Sequence, residues 1–291
     1  MTKKILWTVF ILAGLFLVAS GIALFLENPS FSLPSFDSNT KINVAVIPIY
    51  GEIAGDNIKT DLFSVERTTP KVISSFIDDV KKDSSIKAVI FDINSPGGAV
   101  VPSQEIADMV KKLNKTKYAV ISELGASGAY WIASSTDKII ASPLSITGSV
   151  GVTSSYLDFS GLMNKYGVTY NQLAVGNIKE LGNPYTNLTK EQREVLERKI
   201  KIIHEYFLND VKTNRKLSDE NLKKISSAEF YLGTEAKDLG LVDVLGDKQT
   251  AIDMLKAQFN ATDVQLVEYK EPEGFLSLLT KASSFYIGKG I

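Results

Sequence analysis

Two kinds of apolar run alternate along the chain from residue 42 onward, and this alternation restricts the fold more than any other feature. Short runs rich in valine and isoleucine predict buried strands, and runs with apolar residues every three or four positions predict helices. The strand candidates are residues 42–50, 86–93, 118–121, 138–141 and 168–175. Strands that alternate with helices predict βαβ units, so the expected class is α/β with a largely parallel sheet.

Several helix starts are marked by capping residues. Thr69 precedes Pro70, which predicts an N-cap followed by proline at the first helical position. Thr189 lies three residues before Gln192, and this capping-box pattern predicts the start of a long helix. The apolar stripe of that helix consists of Leu196, Ile200, Ile203, Phe207 and Val211.

The N-terminal region carries an uncharged apolar run over residues 5–26. At about 1.5 Å per residue it is long enough to span a hydrocarbon core of about 30 Å. Lys3 and Lys4 precede the run and Glu27 follows it, which predicts a cytoplasmic N-terminus and an extracytoplasmic remainder. A cleaved signal peptide is the alternative, but its apolar core is usually only about 7–15 residues long. We therefore expect a single-pass anchor in the lipid of the cell membrane.

The chain then divides, by these patterns, into four parts. They are a cytoplasmic stub and anchor at residues 1–26, a linker at 27–41, an α/β domain at 42–260 and a weakly patterned tail at 261–291. The formal net charge of −1 argues against nucleic acid as a partner, because nucleic-acid binders carry a strong basic excess. The chain contains no cysteine, which excludes both a thiol nucleophile and a disulfide.

A candidate nucleophile, Ser127, lies between a predicted strand and a predicted helix. Glycine and alanine occupy the two positions on either side of it. Small neighbours permit a sharp turn, and the unpaired N–H groups at a helix start can bind a developing oxyanion. The alternative, from this stretch alone, is a glycine-rich turn with a capping serine.

The choice of general base is limited by composition. The one histidine, His204, lies in the long amphipathic helix without any motif around it, so we expect it at the helix surface or the edge of the core. One histidine and no cysteine exclude a multi-histidine zinc site, and Gly97-Gly98 lacks the Gly-Lys-Ser/Thr of a phosphate-binding loop. A lysine remains as the partner of a serine nucleophile. Its pKa, ordinarily about 10.4, would have to be lowered by burial. No cofactor or metal is expected.

Four short motifs occur in the order of a known family. They are Ser-Pro-Gly-Gly at 95–98, Ala-Ser-Gly-Ala-Tyr-Trp-Ile-Ala at 126–133, Thr-Gly-Ser-Val-Gly-Val at 147–152 and Lys-Glu-Leu-Gly-Asn-Pro at 179–184. Together they resemble the short-form signal peptide peptidase A family, which are membrane-anchored Ser-Lys serine proteases of bacteria and archaea. The likeness extends over residues 42–255.

The resemblance implies a role for each matching residue. Ser127 would be the nucleophile and Lys179 the general base, Ser149 would orient the lysine, and Gly98 and Gly128 would donate the oxyanion N–H groups. The family commonly has a second glycine after the oxyanion donor that follows the nucleophile, whereas this chain has Ala129.

The resemblance also implies a fold and a function. The fold would be that of ClpP and crotonase, with repeated ββα units, in a homo-oligomer whose dyad is completed across a subunit interface. The enzyme would hydrolyse extended apolar peptides, chiefly signal peptide remnants. Two alternatives belong to other classes: a catalytically silent membrane scaffold that binds peptides, and an acyl-CoA enzyme of the crotonase type, which the extracytoplasmic location disfavours. A narrower alternative is a protease for membrane-protein quality control.

Overall fold

The computed structural model describes residues 13–20, 40–56 and 67–270. The chain divides into two compact units, Met1–Asn39 and Thr40–Ile291. In the first unit, residues 13–20 are helical, while the rest of the anchor predicted at 5–26 and the linker up to residue 39 lie outside the described residues. Among the described residues, no helix has the length and apolarity needed to cross a membrane.

The second unit is built on a sheet whose main strand order is β2-β1-β3-β4-β5-β8. The strands are β1 (Lys41–Ile53), β2 (Arg67–Thr68), β3 (Ile86–Gly98), β4 (Thr116–Ala126), β5 (Lys138–Ala141), β6 (Ile146–Gly148), β7 (Phe230–Leu232), β8 (Val244–Leu245) and β9 (Asp263–Glu268). Strand β6 pairs in parallel with β4 and antiparallel with β7, and β9 pairs in parallel with β1. All other pairs are parallel, as the alternation of strands and helices predicts.

The helices of this unit follow the predicted starts closely. They are α1 (Pro70–Lys82), α2 (Val100–Lys112), α3 (Gly128–Ser134), α4 (Ser160–Lys165), α5 (Lys190–Arg215), α6 (Asp219–Ile225), α7 (Gly233–Asp238) and α8 (Lys248–Phe259). The Thr69 hydroxyl accepts a hydrogen bond from the backbone N–H of Val72, and Thr189 and Gln192 form the predicted capping box. These side chains satisfy N–H groups that have no partner within the helix.

Both faces of the sheet are covered, which is why its strands read as nearly continuous apolar runs. On one face, side chains such as Ile47, Phe91 and Ile121 pack with helices α1, α2 and α3 in the larger core. On the other face, Val46 and Ile90 belong to a smaller core that includes residues of α8. The parallel strands β3, β4 and β6 end at Gly98, Ala126 and Gly148, and the candidate site lies at these strand ends.

The short strands β2, β6, β7 and β8 are not among the predicted strands. The structure departs from the sequence-based expectation in three further places. The strand predicted at residues 168–175 is wrong, because this exposed segment has no neighbouring strand within the described chain to pair with. Strand β9 extends the sheet into the segment assigned to the C-terminal tail. Strand β3 continues through the Pro-Gly-Gly segment to Gly98, which pairs with Ile53 of β1.

Candidate active site

Two serines are brought side by side by the register of β4 and β6. Ala126 at the end of β4 pairs with Gly148 at the end of β6, and Ser127 and Ser149 follow these residues directly. The backbone N–H of Ser127 donates to the carbonyl oxygen of Gly148 at 2.9 Å. The parallel register therefore joins two residues that are far apart in the sequence.

The backbone is strained at both serines. Ser127 has φ 53° and ψ −125°, and Ser149 has φ 50°. Positive φ is uncommon for residues with a Cβ and costs about 1–3 kcal/mol, so the surroundings must hold it in place. The Ser127 carbonyl accepts from Trp131 N–H at 3.0 Å, and Ser149 N–H donates to the Glu229 carbonyl at 2.9 Å. Strain of this kind is typical of residues that present a side chain to a reaction site.

Both serines open on a cavity of about 330 Å³. Its lining consists of Gly98, Val100, Ser103, Ser127, Gly128, Trp131, Ser149, Gly151, Val152, Thr153, Phe207 and Ala228. Neither the Ser127 nor the Ser149 hydroxyl forms a hydrogen bond with another residue of the described chain. The cavity thus combines two available hydroxyls with walls that are mostly apolar.

The glycines at the mouth of the cavity are required by close backbone contacts. A methyl group on Gly98 would overlap the carbonyl oxygen of Ile53, and one on Gly128 would overlap the hydroxyl of Ser103. A methyl group on Gly128 would also lie 3.4 Å from the Gly98 nitrogen. The backbones of the two glycines are therefore close to each other beside Ser127. This position beside the candidate nucleophile suits donors of oxyanion hydrogen bonds.

An aromatic pair forms the apolar wall of the cavity. The ring of Trp131 in α3 stacks on Phe207 in α5, with centroids 4.4 Å apart and an interplanar angle of 16°. The Trp131 indole N–H donates to Oδ2 of Asp210 at 2.7 Å. Ala129, by contrast, is fully buried in the core and does not line the cavity. The methyl group at this departure from the family pattern therefore leaves the cavity lining unchanged.

The core beneath the site contains a fully buried tyrosine, Tyr130. Its hydroxyl donates to the carbonyl oxygen of Leu241 at 2.9 Å. Burial is the main reason that the pKa of Tyr130 is raised far above its ordinary value. The phenol therefore stays neutral and acts as a fixed hydrogen-bond donor under α3.

Lys179 lies apart from this cavity within one chain. Lys179 is exposed and lies in a turn, where its backbone N–H donates to the Gly176 carbonyl at 3.0 Å. Its ammonium group makes no hydrogen bond or ion pair with the described residues, and Lys179 does not line the cavity. A single chain therefore groups Ser127, Ser149, Gly98 and Gly128 but does not bring Lys179 to them.

The turn that carries Lys179 is nevertheless tied to its surroundings. The side-chain amide of Asn183 donates to Glu180 at 3.1 Å and to the Tyr170 hydroxyl at 2.9 Å. The Tyr170 ring in turn contacts Tyr185, with centroids 5.3 Å apart. These contacts give the lysine turn a defined shape on an exposed part of the protomer.

Several residues in and behind the cavity wall are not predicted from the sequence. Trp131 follows Ser127 by one helical turn, so its spacing could have indicated a place in the wall. Phe207 was assigned only to the apolar stripe of the long helix, and Ser103 and Asp210 carried no recognisable signal. His204 is half-buried at the edge of the core, as expected, and its ring bonds the Val150 carbonyl at 3.0 Å. The described residues contain no group of three or more histidine, cysteine or acidic side chains that could hold a metal ion.

Solved structures of another protein share this architecture. Two structures of a membrane-bound stomatin-specific protease, a serine-to-alanine variant and a lysine-to-alanine variant bound to a substrate peptide, superpose with TM-scores of 0.50. They are 13% and 15% identical, and the matches cover 80% and 84% of this chain and 100% and 99% of theirs. At this identity the likeness establishes a shared mixed α/β fold.

Two curated relatives are closer in sequence. A Methanocaldococcus jannaschii protein named "Putative protease" is 34% identical over 85% of this chain and 81% of its own length. An Enterococcus faecium protein named "Putative signal peptide peptidase SppA" is 33% identical over 82% of this chain and 70% of its own length. The model of peptidase family S49 matches residues 110–262, which include Ser127, Ser149 and Lys179. The chain therefore belongs to peptidase family S49 and is a serine protease.

Proposed function

We propose that this protein is a membrane-anchored endopeptidase that cleaves extended apolar peptides with Ser127 as nucleophile and Lys179 as general base. The observation that carries the proposal is that the Ser127 and Ser149 hydroxyls, which have no hydrogen-bond partner among the described residues, open on one cavity beside Gly98 and Gly128. The proposed fold is that of ClpP and crotonase.

The chemistry follows from the groups around Ser127. Neutral Lys179 accepts the hydroxyl proton as the Ser127 oxygen attacks the peptide carbonyl carbon, and the backbone N–H groups of Gly98 and Gly128 bind the oxyanion. The C–N bond then breaks, and the lysine gives its proton to the leaving amine. The same lysine accepts a proton from water, which hydrolyses the acyl-enzyme and frees Ser127. Ser149 accepts or donates a hydrogen bond at the lysine and keeps it oriented.

We further propose that Lys179 reaches Ser127 from a neighbouring protomer. Lys179 is exposed and does not line the cavity of its own chain, and both facts agree with such an arrangement. The segment around it also exposes an unusual number of large apolar side chains, namely Tyr156, Leu157, Leu162, Tyr166, Val168, Leu173 and Val175. Apolar surface of this extent is typical of protein interfaces, so it supports a homo-oligomer.

The substrate class follows from the cavity walls and from the N-terminal sequence. Val100, Trp131 and Phe207 line the cavity and suit an apolar side chain of the substrate. With residues 5–26 in the membrane and the domain outside, the site would lie close to signal peptide remnants in the bilayer. The name of the Enterococcus faecium relative points to the same substrate.

Complementation between two inactive variants tests both the dyad and its shared origin. Full-length Ser127→Ala and Lys179→Ala chains are purified in detergent, mixed after dissociation, reassociated and assayed with an apolar fluorogenic peptide. Each variant alone should lose about 10⁴-fold or more of the activity. The mixture should recover about a quarter of it if protomers assort randomly, because one site in four then receives both native residues.

Each other result of this experiment is informative. An inactive mixture from active wild-type chains would place both residues in one protomer. Retained activity in Lys179→Ala would remove the lysine from the mechanism. A wild-type chain that is folded and oligomeric, yet neither cleaves peptides nor reacts at Ser127 with a fluorophosphonate, would favour the peptide-binding scaffold.

The membrane topology can be tested separately, because the native chain has no cysteine. Single-cysteine variants Thr2→Cys and Ser38→Cys are expressed in cells and treated with a membrane-impermeant maleimide. Ser38→Cys should be labelled in intact cells, and Thr2→Cys only after permeabilisation. Labelling in the reverse order would overturn the proposed orientation, and loss of residue 2 from the mature chain would indicate a cleaved signal peptide.

A further inference from the structure

The half-buried ring of His204 makes a contact that the proposed chemistry does not use. Its Nε2 lies 3.0 Å from the carbonyl oxygen of Val150. A carbonyl oxygen only accepts hydrogen bonds, so Nε2 carries the proton in this contact, whether the ring is neutral or an imidazolium. Val150 is 1% exposed, and no other donor in the described chain reaches its carbonyl oxygen. The histidine therefore satisfies a buried acceptor that would otherwise be unpaired.

This acceptor belongs to the residue that follows Ser149. On the other side, Ser149 N–H donates to the Glu229 carbonyl at 2.9 Å, and Gly151 N–H donates back to the Ser149 carbonyl at 2.8 Å. The three-residue segment 149–151 is thus held from the Glu229 side and from the His204 side. Because Ser149 has a positive φ, it depends on such contacts to keep its hydroxyl directed at the cavity.

Helix α5 supplies the same kind of support elsewhere along this wall. Three residues after His204, Phe207 stacks on Trp131, and three residues further on Asp210 accepts from the Trp131 indole. Residues at this spacing lie on adjacent parts of one helix face. One face of α5 therefore contacts both the segment 149–151 and the aromatic wall of the cavity.

We propose that His204 is a positioning residue for the reaction: it fixes the carbonyl of Val150 and thereby the direction of the Ser149 hydroxyl. The inference rests on the proposed function, in which Ser149 orients the lysine. His204 itself touches neither the substrate nor the reacting atoms. Its effect reaches the chemistry through Ser149, so its loss should lower kcat more than it raises KM.

The test compares a variant that lacks the donor with one that keeps it. His204→Leu retains similar bulk without any N–H, whereas His204→Gln places an amide N–H at a similar distance from the backbone. For His204→Leu we expect kcat to fall about tenfold or more with KM changed less than about threefold. We expect His204→Gln to keep kcat within about threefold of wild type.

A matched control separates positioning from general destabilisation. The Asn221 side-chain amide also donates to a backbone carbonyl, that of Leu239, at 3.1 Å, and neither residue lines the cavity. Asn221→Leu should lower the free energy of unfolding as His204→Leu does, while leaving kcat unchanged. All chains are full length in detergent, and denaturant unfolding and oligomer mass are measured on each.

The outcomes distinguish this inference from the function on which it rests. If wild-type activity depends on Ser127 but His204→Leu keeps its kcat, or if His204→Gln is as impaired as His204→Leu, the positioning role is wrong. If Asn221→Leu loses as much kcat as His204→Leu, the effect is one of stability and the role is again wrong. If Ser127→Ala retains wild-type activity, the proposed function fails first and independently of His204.

Discussion

The indole N–H of Trp131 donates a 2.7 Å hydrogen bond to Oδ2 of Asp210, which joins helix α3, directly after Ser127, to helix α5. Asp210 also forms an ion pair with Lys111 of α2 at 3.3 Å. One carboxylate therefore connects the three helices that surround the apolar side of the cavity. This hydrogen bond fixes the indole nitrogen of Trp131, while the face of the same ring stacks on Phe207.

Replacing this carboxylate should destabilise the protein through the indole rather than through the ion pair. Asp210→Leu leaves the N–H of a nearly buried tryptophan without an acceptor, so the free energy of unfolding should fall by about 1–3 kcal/mol. Asp210→Asn keeps an acceptor oxygen and should lose less. Lys111→Leu removes only the partly exposed ion pair, so it should change the free energy of unfolding by less than about 1 kcal/mol. Urea unfolding measures all three, and equal losses for Lys111→Leu and Asp210→Leu would contradict the assignment.

Ser149 should matter for catalysis and not for the stability of the protomer. Its hydroxyl makes no hydrogen bond within the described chain, so Ser149→Ala removes no hydrogen bond that these residues make. If the hydroxyl orients Lys179, kcat should fall by about 10–100-fold, a part of the usual contribution of a general base. Ser154→Ala, in the exposed segment that follows, is the control. Unchanged kcat in Ser149→Ala would show that the lysine is oriented by another group.

Local patterns were sufficient to predict the strand, turn and helix around Ser127, but not strand β6, which precedes Ser149. The turn at Ser127 is encoded by small residues within two positions of it, and the capping residues Thr69 and Thr189 mark helix starts by contacts within four residues. The alternation of apolar periods then predicted a parallel sheet. These are short-range features, which a single sequence expresses directly.

Long-range pairing explains what the sequence did not predict. Ser149 lies beside Ser127 only through the register of β4 with β6, and β9 is a strand only because β1 offers it an edge. Residues 168–175 have the composition of a strand but pair with no strand of the described chain, so the same composition gave a wrong prediction there. Whether an apolar run becomes a strand depends on a partner that the run itself does not specify.

The two candidate oxyanion glycines, Gly98 and Gly128, have no room for a side chain, and only at Gly128 is the obstacle a side chain that a substitution can shorten. In Gly128→Ala the new methyl group meets the Ser103 hydroxyl and lies 2.9 Å from its Cβ, so both stability and activity should fall. Ser103→Gly removes both atoms, so the double variant should recover part of the stability lost in Gly128→Ala. A double-mutant cycle from urea unfolding should therefore give a favourable coupling of about 0.5–3 kcal/mol. Strictly additive effects would mean that the two residues are not in contact.

The acid side of the stability profile should depend on helix caps such as Asp247. Hydrogen bonds from the backbone and side chain of Thr250 hold the pKa of Asp247 below its ordinary value. A carboxyl whose pKa is lower in the folded state stabilises the fold above its unfolded pKa, and this contribution disappears as the pH falls through the folded value. Asp247→Asn still caps but does not titrate, so the wild type should lose stability more steeply than the variant from about pH 5 to pH 2.

The control for this cap is Asp253→Asn on the same helix. Asp253 accepts from the Gln249 side chain at 2.9 Å and caps no backbone N–H group. Urea unfolding of the three proteins at several pH values gives the three slopes. A slope for Asp247→Asn equal to that of wild type, within error, would show that this cap contributes nothing to acid unfolding.

The fully exposed side chain of Leu173 should reveal whether the segment around Lys179 is an interface. Leu173 is fully exposed in the part of the chain that the structure describes, so Leu173→Lys should leave the unfolding of an isolated protomer unchanged. If a second copy covers this leucine, the charge would be buried on assembly, and oligomer mass and peptidase activity should fall together. Lys165→Leu, an exposed change on nearby α4, is a control that adds apolar surface instead of charge. An intact, fully active oligomer of Leu173→Lys, measured by light scattering in detergent, would exclude Leu173 from the contact and require Lys179 to be delivered through a different surface.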